Sequence, residues 1–237
     1  MKVGIHQLHY FPWLGYMNKM AKSDAFIILD DVQLSDSSFM FRHKLLCKNG
    51  SEKYITIPFN KKDYMHRKYR QLEINSAVPW QKNHINFIKD TYSKAPYFKE
   101  IWDVIGGLFE KEYKTLFEVT NQSVLLMREL LDVKTKLIYQ SELPETAGKK
   151  NDLVLDLCKE VNADIYLSGN GARKYMDVES FDKEGIKVQF QKFTLPEYKQ
   201  IYTENFVPGL CGLDMLFNIG IDDSRELLKQ TLQQKED

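Results

Sequence analysis

Hydrophobic positions change period along the chain, and the changes mark out its elements. "KVGIH" (2–6) reads as a short buried strand, followed by a loop holding Pro12 and Gly15 and a helix in "YMNKMAKSD" (16–24). "AFIILDD" (25–31) is a continuous apolar run ending in carboxylates, the pattern of a parallel strand covered on both faces. Strand, loop, helix and strand within about 30 residues is the length of a βαβ unit. "KYITIPF" (Lys53–Phe59) alternates, and the Asn49-Gly50 turn signal before it points to antiparallel pairing. From Trp80 to about Leu131 apolar residues recur every three or four positions, which predicts helices in "WQKNHINFIKDTY", "FKEIWDVIGGLFEK" and "LFEVTNQSVLLMRELL". "TKLIYQS", "ADIYLSG" and "KVQFQKF" read as strands and "KNDLVLDLCKEVN" as a helix. "GLDMLFNIG" and "DSRELLKQTLQQK" close the chain as two helices, the second with Asp222 or Asp223 as N-cap.

At 237 residues there is room for one sizeable domain, and no repeat, low-complexity tract or linker divides the chain. The pattern predicts a single α/β domain over 1–237 with a mostly parallel open sheet; an inserted helical subdomain over about 78–132 is the alternative. Lysine plus arginine equals aspartate plus glutamate at 33 each, so the net charge is zero, which argues against nucleic-acid binding by bulk electrostatics. The one basic run, "NKKDYMHRKYR" (Asn60–Arg70), has a solvated loop as its ordinary reading. Cys47, Cys158 and Cys211 are widely spaced, with no CxxC and no zinc-ligand spacing, as in a reducing cytoplasm. The N-terminus lacks the apolar stretch of a signal peptide, and runs such as "AFIIL" are too short to span a bilayer. The expectation is a cytoplasmic protein without membrane insertion.

In open parallel sheets, ligands bind beyond the carboxyl ends of the strands, near a topological switch point. That rule gathers three unusual stretches: His6, Gln7, Tyr10, Trp13 and Tyr16 after the first strand; Asp30, Asp31 and Gln33 at the end of the second; and Ser168, Gly169, Asn170 and Gly171 after "DIYL". "SGNGA" either cradles an anion with its backbone N–H groups or is a plain turn. Asp30 and Asp31 are adjacent, so on a strand they face opposite sides. A carboxylate there holds a metal, a ribose hydroxyl or an amine, or it caps the next turn. Asp214 and Asn218, four apart among apolar neighbours, share a helix face, and a buried aspartate needs a partner. His6 and His9 are either a base or ligand pair or satisfied structural groups; His84 contacts the core or an acidic neighbour from a helix. No Gly-x-Ser-x-Gly elbow, Walker loop or HExxH occurs.

Taken in order, "IHQLHYFPWLGYMNKMAKSDAFIILDDVQ", "FRHKL", "WQKNHINFIKDTYSKAPYF", "ADIYLSGNGARKYMD", "VQFQKF", "LPEYKQ", "NFVPGL" and "LDMLFNIG" resemble the WbqC-like family from Lys2 to about Gly220. That family is found with O-antigen and other surface-polysaccharide genes, and the resemblance implies transfer of glycine or another aminoacyl group onto a sugar. Polar positions that match the family pattern include His6, Gln7, Tyr10, Trp13, Tyr16, Asp30, Asp31, Gln33, Arg42, Lys44, His84, Ser168, Gly169, Tyr175, Gln191, Asp214 and Asn218. The chain departs at Leu8, where the family has proline, in "MFRHKL" around Arg42, and at Cys211, where the family has serine. The first βαβ unit also resembles that of the HxGH nucleotidylyltransferases and pantothenate synthetases, which implies Rossmann-like topology. Here Trp13-Leu14-Gly15-Tyr16 replaces the phosphate-binding histidine turn.

Together these readings imply a transferase or ATP-dependent ligase that moves a small aminoacyl or acyl group onto a nucleotide-linked sugar. The expected catalytic residues are His6 as general base, Asp31 and Ser168. Gln7, Tyr10, Trp13, Tyr16, Gln33, Arg42, Lys44, His84, Gly169, Tyr175, Asp214 and Asn218 are expected to bind substrate. Asp30 or Asp31 is expected to hold Mg²⁺, and ATP with Mg²⁺ or an acyl thioester are the candidate donors. The alternative is a non-catalytic sugar-nucleotide or glycan-binding partner of other enzymes, since aromatic clefts stack on sugars.

Overall fold

The computed structural model describes residues 1–35 and 39–235. The chain runs β1 (Lys2–Gln7), α1 (Leu14–Ala21) and β2 (Ala25–Leu29), then a hairpin of β3 (Arg42–Leu46) and β4 (Glu52–Thr56). Helices α2 (Trp80–Tyr92), α3 (Phe98–Ile105) and α4 (Leu116–Leu130) follow. The rest alternates: β5 (Lys136–Tyr139), α5 (Asn151–Glu160), β6 (Ile165–Ser168), α6 (Val178–Lys183), β7 (Lys187–Phe190) and α7 (Gly212–Leu232).

Five strands form one sheet in the order β5-β2-β1-β6-β7, and every pair in it is parallel. Numbered within the sheet, that order is 3-2-1-4-5, the arrangement of doubly wound α/β proteins. The chain builds outward from β1 to β5, then returns to the other side of β1. The switch point therefore lies between the carboxyl ends of β1 and β6. Alternation along the strands divides the core in two. Val3, Ile5, Ile27, Tyr166, Val188 and Phe190 pack with Leu157 and Cys158 of α5 and Phe181 of α6. Phe26 and Ile28 face the larger core, shared by α1, the hairpin, the three middle helices and α7. On that face a side chain at Gly4 would lie 2.5 Å from Ser23 Oγ and 2.7 Å from the Phe26 ring, so glycine is what lets the end of α1 approach β1.

Three boundaries differ from the pattern-based expectation. Helix α1 starts two residues before Tyr16, with Trp13 at the cap position. The partner of the predicted Lys53–Phe59 strand is β3, whose alternation is hidden because buried His43 and Leu45 are interleaved with Arg42 and Lys44. The two C-terminal helices are one element broken at Gly220, where φ is +78° and the Tyr97 ring covers the Cα. The second half thus starts from Gly220, and Ser224 returns its hydroxyl to the Gly220 carbonyl at 2.5 Å. Asp222 is not a cap: it is exposed and lies 3.9 Å from Arg225.

Candidate functional site

Two cavities flank the end of β1. His6 and Gln7 are successive residues of a strand, so their side chains leave on opposite faces of the sheet, and each lines a different cavity. The inner one, on the α1 side, has a volume of about 280 Å³ and lies at the switch point, between His6, Trp13, Tyr16, Lys19, the Gly169–Gly171 turn and Gln191. Gln191, just past β7, clamps the start of α1 by donating to the Gly15 carbonyl (2.9 Å) and to Asn18 Oδ1 (2.7 Å). Asn18 in turn donates to Thr231 of α7 at 3.0 Å. The Trp13 indole packs edge-on against Phe193 and lies over Gly15.

The charges in this cavity are set by burial. Lys19 is 3% exposed and donates to the Ile5 carbonyl at 2.7 Å. Desolvation of its ammonium brings its pKa down to about 7. Desolvation, reinforced by Lys19, lowers His6 to about 3, so its imidazole is neutral. Its Nδ1 lies 3.0 Å from the Gln7 carbonyl, which can only accept. The proton therefore sits on Nδ1 and the lone pair on Nε2. His6, His9 and Tyr16 pack ring against ring at 4.8–5.2 Å.

The outer groove is larger, about 890 Å³, and runs between the ends of β1 and β2, the 140–150 loop and α5. Here the predicted basic run is not simply a solvated loop. Its residue Tyr69 is buried, with the hydroxyl donating to the Met40 carbonyl at 2.9 Å. That anchor lays His66, Arg67, Lys68 and Arg70 along the groove. Lys68 pairs with Asp31 at 2.7 Å, and Gln33 donates to the Met65 carbonyl at 2.8 Å. Asp30 is engaged elsewhere. Its two oxygens accept from the backbone N–H and hydroxyl of Ser141, at 2.9 and 2.6 Å, and so fix the loop after β5. Among the described residues no three His, Cys, Asp or Glu side chains converge as metal ligands. Asp30 is thus held by Ser141 and Asp31 by Lys68.

The crevice thus holds His6, Gln7, Trp13, Tyr16, Asp31, Gln33 and Gly169, but in two compartments. Ser168 is buried and shares its face with Phe190 of the other core, opposite to His6. Tyr10 and His84 meet in the large core, where the Tyr10 hydroxyl donates to His84 Nδ1 at 3.1 Å and His84 Nε2 donates to the Thr56 carbonyl at 3.1 Å. Asp214 and Asn218 are buried and hold the 198–201 segment. Arg42 lies on the hairpin, stacked on Tyr54, and lines a third concavity of about 1050 Å³; Lys44 pairs with Glu52 at 2.6 Å. Tyr175 is 77% exposed. Sequence reasoning missed Lys19, Arg67 and Arg70. The signal for Lys19 was a lysine set beside Met17 and Met20 in the helix that follows the first strand.

Strand order and crevice define a doubly wound α/β protein with one polar cavity at its switch point and a second beside it, at the ends of β1 and β2. The chain belongs to the WbqC-like protein family, whose model it matches over residues 7–226. It is 32% identical over 223 residues to the uncharacterized protein Rv1507c of Mycobacterium tuberculosis, covering 93% of this chain and 95% of that one. No solved structure matches it. Among the described residues no helix is long and apolar enough to cross a membrane.

Proposed function

We propose that the chain is an enzyme of surface-glycan biosynthesis that transfers a small aminoacyl group, glycyl among the candidates, or another acyl group onto a nucleotide-linked sugar. The observation that carries this reading is the outer groove, where a chain of zero net charge gathers Arg67, Lys68 and Arg70 beside Gln7, Asp31 and Gln33. Guanidinium and ammonium groups suit the diphosphate of a sugar nucleotide, while the amide and carboxylate suit sugar hydroxyls. Membership of the WbqC-like family supports the glycan setting. In the transfer, a hydroxyl or amine of the sugar attacks the acyl carbonyl carbon, the bond from that carbon to its leaving group breaks, and the leaving group takes up the nucleophile's proton. With the diphosphate in the outer groove, the reacting sugar hydroxyl or amine crosses the end of β1 into the inner cavity, where His6 Nε2, with its lone pair free, accepts its hydrogen bond and relays the proton.

The second reading, a non-catalytic binding partner, draws on the separation of His6, Asp31 and Ser168 into different places. Thermal unfolding against nucleotides, nucleotide-sugars, glycine and acyl thioesters, with and without Mg²⁺, tests the proposal. A nucleotide-sugar at about a hundred times its dissociation constant is expected to add about 2.7 kcal/mol of stability, and Arg67→Ala with Arg70→Ala is expected to abolish most of that gain. No stabilisation by any nucleotide-sugar would contradict the transferase and a sugar-nucleotide-binding partner alike.

A further inference from the structure

We propose that the inner cavity is a subsite for a compact oxyanion, the carboxylate or phosphoryl group of a small donor molecule, held by Lys19 and the backbone of the Gly169–Gly171 turn. It rests on the proposed reaction only for the word donor; the anion site stands on its own geometry. Lys19 has three N–H bonds, and the structure accounts for one of them, to the Ile5 carbonyl. Among the described residues, the cavity's lining holds no aspartate or glutamate. An enclosed ammonium without a counter-ion is costly to keep, and an anion entering from solvent supplies what the fold withholds. Tyr16 also lines this cavity, and among the described residues its buried hydroxyl has no partner.

The glycines point the same way. Gly169 has ordinary extended backbone angles (φ −68°, ψ 144°), and Gly171 is absent from the positive-φ residues. A Cβ at either would meet no atom within 4 Å. Neither backbone conformation nor internal packing therefore calls for glycine at these two positions. What the missing side chains do is leave backbone N–H groups open to close approach by a ligand. In the turn after β1, which holds phosphate in many doubly wound folds, three successive residues offer no free N–H. Tyr10 N–H donates to the Phe39 carbonyl, Phe11 N–H to Ser123 Oγ, and Pro12 has no N–H.

The titratable groups around Lys19 leave it as the charge that matters. His6 and His9 are kept neutral by burial, and Tyr166 of β6 and Cys158 of α5 have their pKa values raised. With Lys19 titrating near 7, anion affinity is expected to fall by about tenfold per pH unit above that value, as the ammonium is lost.

Calorimetric titration with inorganic phosphate, acetate and glycine, on the wild type and on Lys19→Met, Gly169→Ala and Gly171→Ala, tests the proposal. The expected result is one bound anion per chain near pH 7, at least about tenfold weaker binding in each variant, and unfolding temperatures no lower than wild type. Whether phosphate or the carboxylates bind identifies the donor's anionic group. Absence of binding by all three probes, or equal affinity in wild type and variants, overturns the subsite. Nucleotide-sugar binding is measured in the same variants: its persistence with loss of anion binding supports two separate sites, and its persistence without any anion binding leaves the proposed transfer standing while removing this inference.

Discussion

Asp214→Ala is expected to lower the unfolding free energy by about 3–5 kcal/mol, because it strips the acceptor from buried neutral donors. Asp214 lies at the start of α7. Its Oδ1 accepts from the Tyr92 hydroxyl of α2 at 2.7 Å, and its Oδ2 accepts from the Tyr198 hydroxyl and Gln200 Nε2 at 2.8 and 2.9 Å. Tyr92 also accepts the Leu46 N–H of the hairpin at 3.0 Å. One turn further on, Asn218 accepts the Ile201 N–H at 2.9 Å and donates to the Asp214 carbonyl at 2.7 Å. One carboxylate thus ties α7, α2 and the 198–201 segment together. The alanine variant leaves two phenols without their acceptor and takes one acceptor from Gln200 Nε2, which keeps the Val207 carbonyl. Each such buried group costs about 1–3 kcal/mol. Asp214→Asn, which keeps one acceptor oxygen, is expected to lose about 1–2 kcal/mol. Urea denaturation of the three proteins is the check; an alanine variant within about 1 kcal/mol of wild type would mean that the network does not hold these elements.

Acidification from pH 7 to pH 5 is expected to remove about 4 kcal/mol through His43 and His84 alone, about 2 kcal/mol each. Burial lowers His43 to about 3 and His84 to about 4, against about 6.5 in the unfolded chain. Between those values the unfolded state binds protons that the folded state does not, so stability is full above pH 6.5 and declines as pH falls toward 4 and 3. Desolvation by burial is the main cause, and the bonds at Nδ1 add to it. His43 Nδ1 accepts from the Lys44 N–H at 2.8 Å, so a second proton breaks that bond, and at His84 it forces the Tyr10 hydroxyl to turn from donor to acceptor. His9, lowered in the same direction, steepens the slope. Asp214 does not: burial raises its pKa, so the folded chain takes up that proton readily. His84→Gln, whose amide N–H replaces the donor to Thr56, is expected to flatten the pH dependence in denaturation series; equal stability at pH 7 and pH 5 in the wild type would contradict the assignment.

The sheet was legible because its strands are short apolar runs bounded by polar loops, and "AFIILDD" in particular has no other reading. Strand order was not legible as such, but the rule that ligands gather at carboxyl ends located His6, Asp31 and Gly169 at one edge. It could not say that adjacent residues of one strand open onto different cavities, which is why His6 and Asp31 were expected together. Tyr10 and His84 looked like binding residues for the same reason they are buried: large polar rings are hydrogen-bonded either to ligands or to each other, and spacing does not distinguish the two. The basic run was read as solvent-facing because its charges dominate, whereas Tyr69, a single buried anchor, decides its course.

The most direct test of the proposed transfer is mass spectrometry of the nucleotide-sugar after incubation with the protein and each donor class: glycine with ATP and Mg²⁺, and acyl thioesters. The expected product carries the mass of one added acyl group, forms in proportion to protein, and is lost in Arg67→Ala with Arg70→Ala. A nucleotide-sugar that binds the groove yet is recovered unchanged with every donor would contradict the transferase and leave the binding partner as the function of this chain.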